Sequence, residues 1–230
     1  MLTRAELKAK AKESLSGKWG DAIVTNVVFL IISLAISVSC LKLFPGENSD
    51  IYMNTNLIGS LISVSFPGEN SDIYMNTNLI GSLVELVLTG LFAFGYMSYF
   101  LKLSRNEDVE VNELWSKTGM LGTFIVAAIL ISLFTTLWSL LFIIPGIIAA
   151  YSYSMTLYIL LDNPDMKVMD AIKESKEMMK GHKMDLFILQ LSFIGWMLLG
   201  ALLIFIPYLW LIPYMNITMC NFYNNLKELQ

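Results

Sequence analysis

The sequence predicts an all-α polytopic membrane protein of about six transmembrane helices, with short cytoplasmic amphipathic helices. Three observations predict it. Of 230 residues, 56% are hydrophobic and 15% charged, where an ordinary soluble domain is nearer half apolar and a quarter charged. The excess is gathered into runs such as "AIVTNVVFLIISLAISVSCL" from Ala22 and "MLLGALLIFIPYLWLIPY" from Met197, and about 18 apolar residues suffice to cross the hydrocarbon as a helix. The Lys and Arg residues cluster in alternate connections between those runs.

Residues 1–20 read as a cytoplasmic amphipathic helix. "TRAELKAKAKESLSGK" opens with Thr3 and Glu6 in capping-box spacing. Leu7, Ala11 and Leu15 recur at every fourth position among lysines, and Gly17 stops the helix. A span over 22–43 follows. No small-residue cleavage site lies close behind it, so it is expected to be retained. The connection 44–78 carries Glu47, Asp50, Glu69 and Asp72 but no Lys or Arg, which assigns it to the outside.

That outside loop contains "FPGENSDIYMNTNLIGSL" twice, from Phe44 and from Phe66, without one substitution. Identity at polar positions, which packing does not fix, marks a tandem duplication. The apolar part of the first copy, 57–66, makes about 15 Å of helix, half the hydrocarbon thickness. It is expected at the outer interface, while the second copy runs on into a span over 79–101. The duplication then lengthens one outer loop at little cost, which is favoured over a doubled recognition loop.

Spans over 119–141 and 145–161 are joined by the tight turn "FIIPG", and spans over 186–206 and 208–224 by "FIPY". Pro145 and Pro207 restart helices without leaving an N–H unsatisfied. Pro213 falls inside the last span and frees the carbonyl of Leu209, so a kink is expected there. Residues 163–181 read as a second cytoplasmic amphipathic helix, with Asn163 as N-cap and Pro164 in the first turn. Val168, Met169, Ile172 and Met179 make its apolar stripe, and Gly181 ends it. Glu13, Leu15, Gly17 and Asp21 correspond to Glu177, Met179, Gly181 and Asp185, and "VEVNELWSKTG" is a shorter version before the third span. A surface helix plus a two-span hairpin is therefore expected to recur, up to three times. The basic clusters at 4–18, 102–117, 167–183 and Lys227 fall on one face, which places both termini in the cytoplasm.

Little in the chain carries chemistry. Glu85 lies within the second span, where a charge costs on the order of 2–3 kcal/mol at mid-depth and less near an end. It is read either as a proton- or cation-coupled site or as an outer-third carboxylate, protonated or reaching water near the helix start. Gln190 and Asn216, which can hydrogen-bond between helices, join it as a candidate intramembrane polar site. Cys40 and Cys220 sit in apolar segments and His182 stands alone, so no disulfide, metal site or cofactor is expected. No nucleotide-binding, nucleophile-elbow or zinc-hydrolase motif is present, and no enzyme activity is expected. The expected partners are membrane lipids, with a membrane-protein partner or a second copy of the chain beside them, and no nucleic acid.

The stretch "LLFIIPGIIAAYSYSMTLYILLDNPDMKVMDAIKESKEMMKGHKMDLFILQLSFIGW" from Leu140, with "RAELKAKAKESLSGKWGDAI" and "GYMSYFLKLSRNEDVEVNELW", resembles the bacterial membrane proteins grouped as domain of unknown function 975. The resemblance covers nearly the whole chain apart from 44–78. It implies a polytopic inner-membrane protein, mostly of Gram-positive bacteria, and brings no catalytic residues with it. The function expected is that of a non-enzymatic envelope accessory protein acting through lipid or protein contacts. A small-solute or lipid transporter is the alternative.

Overall fold

The computed structural model describes residues 2–43, 75–202 and 207–229, and these residues fold into helices and turns. In chain order the helices are α1 (Arg4–Leu15), α2 (Trp19–Leu43), α3 (Met75–Ser104), α4 (Glu113–Ser116), α5 (Leu121–Leu141), α6 (Ile143–Tyr153), α7 (Thr156–Asp162), α8 (Val168–Met178), α9 (Lys183–Leu202) and α10 (Tyr208–Lys227). Among the described residues, five segments are long and apolar enough to cross a membrane: Trp19–Cys40, Val84–Ser104, Glu113–Leu140, Ile143–Asp162 and Lys183–Gly200. The sixth expected span forms as α10 but is not among them. Asn216, Thr218, Asn221, Asn224 and Asn225 dilute its apolar character, and neighbouring helices bury Thr218, Asn221 and Asn225. The first copy of the duplicated stretch lies outside the described residues. The end of the second copy, from Met75, already belongs to α3.

The chain divides into two compact units, Met1–Phe29 with Gly90–Gln230, and Leu30–Thr89. In the first unit, α1 packs along α10 rather than lying free. The expected capping box is present: Glu6 N–H donates to Thr3 Oγ1 at 3.3 Å, and Thr3 N–H donates to Glu6 Oε2 at 2.6 Å. Leu7, Ala11 and Leu15 are at most 1% exposed. The Leu2 N–H donates to Asn225 Oδ1 at 2.9 Å, fastening the start of the chain to the end of α10.

Two expectations for residues 163–181 are corrected. Asn163 does not begin a helix. It ends α7, with its N–H 2.9 Å from the Ile159 carbonyl, and its own carbonyl accepts from Met166 N–H at 3.0 Å. Asn163 and Pro164 are thus the first two positions of a turn, where both residue types are favoured. The helix starts at Val168, after Lys167 in an extended conformation. The packed stripe is also different. Ile172 and Met179 are buried and Val168 half-buried, but Met169 is exposed. A helix starting at Val168 turns Ala171, Ser175 and Met178 inward instead, and Met169 falls to the side of that face.

Gly17 and Gly181 both have left-handed backbones, with φ of 79° and 87°. Each follows a buried residue, Leu15 or Met179, by two positions and precedes a membrane helix by two. The two aligned stretches therefore share a stop, a core anchor and a restart. The third does not: Gly119 is not left-handed, and only the short α4 and one 3-10 turn precede α5.

The turn between α5 and α6 is a single extended residue, Phe142. Gly146 lets the hairpin close, because a Cβ there would come 2.8 Å from Ser139 Cα. The outer faces of this hairpin carry Val126, Ile129, Leu133 and Leu137 on α5, and Ile143, Ile144, Ile147 and Ile148 on α6, all exposed. On α9, Leu191, Ile194 and Leu198 continue the same pattern. Such stripes are unfavourable in water and are what a lipid-facing surface requires. The packed core, by contrast, gathers α1, the end of α3, α7, α8 and α10.

Candidate functional site

The densest polar arrangement of the larger unit centres on Asp162, the last residue of α7. Arg105 follows the end of α3, and the left-handed Asn106, φ 59°, turns the chain just beyond it. Arg105 Nη1 and Nη2 donate to Asp162 Oδ1 and Oδ2 at 2.9 and 2.8 Å. This is the paired geometry that makes an Arg–carboxylate contact strong. Lys227 Nζ and Tyr223 Oη, both from α10, donate to Oδ2 at 2.7 and 2.9 Å. Asn224 completes the frame: its Oδ1 accepts from Arg105 Nε and Nη2, both at 3.1 Å, and its Nδ2 donates to Ser104 Oγ at 3.0 Å. The Asp162 side chain is 8% exposed, so this carboxylate depends on its donors for its charge. Its hydrogen bond in turn holds the Arg105 guanidinium above its ordinary range. One carboxylate thereby joins α3, α7 and α10. An open cavity of about 450 Å³ lies against this cluster, lined by Lys10, Arg105, Asn224, Lys227 and Glu228 among others.

A second polar contact sits where the fourth span breaks between α6 and α7. Ser175, fully buried on α8, donates to the Ser152 carbonyl at 2.8 Å and accepts from the Met155 N–H at 3.2 Å. A helix break leaves backbone groups without partners, and one hydroxyl from α8 supplies two of them.

A third fastens α4 to α3. Glu113 accepts from Ser98 Oγ at 2.6 Å and from Lys102 Nζ at 2.9 Å. Gly95 makes room, since a Cβ there would fall 2.2 Å from the Leu114 carbonyl oxygen.

The three residues expected to form an intramembrane polar site each have their own partners. Asn216 Nδ2 donates to Tyr96 Oη and to the Ile212 carbonyl, both at 3.1 Å, and Tyr96 Oη donates to Asn26 Oδ1 at 2.9 Å. Gln190 Oε1 accepts from Tyr151 Oη at 2.9 Å. In the Leu30–Thr89 unit, the Ser37 hydroxyl donates to the Glu85 carboxylate. Each contact has the character of interhelical hydrogen bonding. Pro213 lies within α10, which runs unbroken through it. Cys40 and Cys220 are buried free thiols. Among the described residues, no three His, Cys, Asp or Glu side chains converge as metal ligands do.

Asp162, Tyr223 and Ser175 were not legible as partners, and Arg105 and Lys227 read only as markers of sidedness. The available signal was that Arg105 and Asp162 are opposite charges closing two apolar runs that end on the same side. Asn26, a polar residue inside an apolar run, is the corresponding signal for the Tyr96 contact.

The chain matches, over residues 1–152 and 140–230, the family described as protein of unknown function DUF975. It belongs to that family along its whole length. No curated protein and no solved structure matches it.

Proposed function

We propose that this protein is a multi-pass protein of the bacterial inner membrane, with both termini in the cytoplasm, that serves the envelope through contacts with membrane lipid rather than by turnover. The observation that carries the reading is the seat of α1. Its apolar positions are buried against the bundle, α10 above all, which leaves Arg4 and Lys12 exposed and Lys8 and Lys10 half-buried along its flanks. A basic helix fixed beside lipid-facing spans attracts anionic headgroups, at about 1 kcal/mol per basic residue near the surface. The Lys/Arg asymmetry supports the sidedness. Single cysteines at Asn48 and Lys176, in a background lacking Cys40 and Cys220, test it. Asn48 is expected to react with an impermeant thiol reagent on intact cells and Lys176 only after lysis; labelling of Lys176 from outside defeats the topology.

The lipid reading is tested by purification in mild detergent and mass spectrometry of the retained lipid. Enrichment of one class over the bulk membrane is expected. A retained fraction with the composition of the bulk membrane defeats it. A second reading, a small-solute or lipid transporter, is favoured by the Asn26–Tyr96–Asn216 contact, in which two of the three linked polar groups lie within candidate membrane-crossing segments. It requires flux in proteoliposomes that Asn216→Ala abolishes.

A further inference from the structure

We infer that the groove between α6, α9 and α10 is a seat for a single anionic phospholipid, with an acyl chain along the groove and the phosphate held by Lys8 and Lys12 of α1. The inference rests on the lipid reading above and gives it a place. The groove encloses about 340 Å³ and is lined largely by apolar side chains, among them Phe187, Phe193, Met215 and Met219, with the Tyr151–Gln190 pair at one side. That volume is within the range of small-ligand sites, roughly 300–1,000 Å³. Unbranched methionines suit a flexible chain, because they adapt to it at little cost.

The charge sits against the groove wall. Lys8 Nζ lies 4.2 Å above the centre of the Phe193 ring and 3.5 Å from the Ser192 carbonyl. Lys12 Nζ lies 6.0 Å from the centre of the Tyr214 ring. The two rings are in edge contact, with centroids 5.6 Å apart; Phe193 lines the groove, and Tyr214 adjoins it through Phe193. Arg4, Lys8 and Lys12 follow one another at four-residue intervals on one face of α1. None has a carboxylate partner among the described residues. Burial, then Arg4 and then Lys12, pull the Lys8 ammonium below its ordinary value. Three clustered cations without an anion are a costly arrangement, and a phosphate placed between Lys8 and Lys12 relieves it.

Lys8 reaches α9 at Ser192 and Phe193, its stem lying along apolar surface beside the groove.

The test uses the full chain in detergent, titrated with phosphatidylglycerol or with phosphatidylcholine of the same acyl chains, and follows the thermal midpoint and the lipid bound by native mass spectrometry. Each lysine is expected to contribute about fivefold to the preference for phosphatidylglycerol, so wild type prefers it by about 30-fold. Lys8→Gln with Lys12→Gln brings the two lipids level, Lys8→Arg with Lys12→Arg keeps the preference, and Lys173→Gln with Lys176→Gln, an equal loss of charge elsewhere, keeps it too. Met219→Trp fills the groove and weakens both lipids. A preference unchanged in Lys8→Gln/Lys12→Gln, or phosphatidylglycerol binding unchanged in Met219→Trp, overturns the seat while leaving the lipid reading standing. Wild type that retains neither lipid overturns both.

Discussion

Asp162 shows how much of this fold hangs on one side chain. Four donors from Arg105, Tyr223 and Lys227 converge on its two oxygens, and two of the three partners are cations that its removal would strand. Breaking such a pair costs more than the pair is worth, because the remaining charges stay where they are least solvated. Arg105 and Lys227 are partly exposed, at 31% and 51%, so water recovers some of that cost. Asp162→Ala is expected to destabilise by about 2–4 kcal/mol, seen as a fall of roughly 5–15 °C in the thermal midpoint in detergent. Glu177→Ala, which removes an exposed partner 3.9 Å from Lys180, is expected to change it by no more than about 0.5 kcal/mol. Equal midpoints for the two variants would show that α3, α7 and α10 are held by apolar packing alone. Ser175 is a smaller case of the same kind. Ser175→Ala leaves the Ser152 carbonyl and the Met155 N–H at the helix break without partners and is expected to cost about 1–3 kcal/mol. Faster hydrogen exchange at Met155 is the specific sign, and exchange there at the wild-type rate would sink the assignment.

At the scale of elements, the parts legible in the sequence were those written locally. The Thr3–Glu6 box, the every-fourth apolar positions of α1, the FIIPG turn and the stops at Gly17 and Gly181 are each decided within a few residues, and each is found. The start of α8 is local too, but two signals competed. Asn-Pro suits a turn as well as a helix start, and α7 already ended on Asn163, so the turn prevailed. Contacts between distant residues were not legible, since Arg105 meets Asp162 across 57 positions and Asn224 across 119. The sixth expected span forms as α10, but its asparagines leave it less apolar than the other five, and the partners of Asn216 and Asn224, on α3 and at its end, are not contained in a hydropathy pattern. The two-fold correspondence of α1–α2 and α8–α9 is testable through its glycines. Nothing lies within 4 Å of a Cβ added at Gly17 or Gly181, so only the left-handed backbone opposes a side chain there. Gly17→Ala and Gly181→Ala are each expected to cost about 1–2 kcal/mol, and Gly119→Ala, in equally open space without a left-handed backbone, to be neutral or slightly stabilising. A cost at Gly119 equal to the other two would restore the third repeat.

At the scale of the whole molecule, two kinds of repetition have opposite meanings. The correspondence of the two helix–glycine–helix stretches keeps backbone conformation and burial while most identities have gone, as packing selects for. The duplicated "FPGENSDIYMNTNLIGSL" keeps every identity, including residues no packing rule would hold. The first is architecture and the second is a sequence event laid over it. Deletion of residues 44–65 separates the two. The cut joins Leu43, the last residue of α2, to Phe66 and leaves the second copy intact, including its last part, which opens α3 at Met75. Every residue of the larger unit remains. The cut takes the 31 residues between α2 and α3 to nine, and because closure free energy grows only with the logarithm of length it changes by about 1 kcal/mol. The shortened chain is therefore expected to accumulate in the membrane fraction at the wild-type level, with a thermal midpoint within a few degrees, and to retain the same lipid. Loss of membrane accumulation would mean that the first copy packs against the helices, and loss of the lipid alone would assign that copy a part in binding.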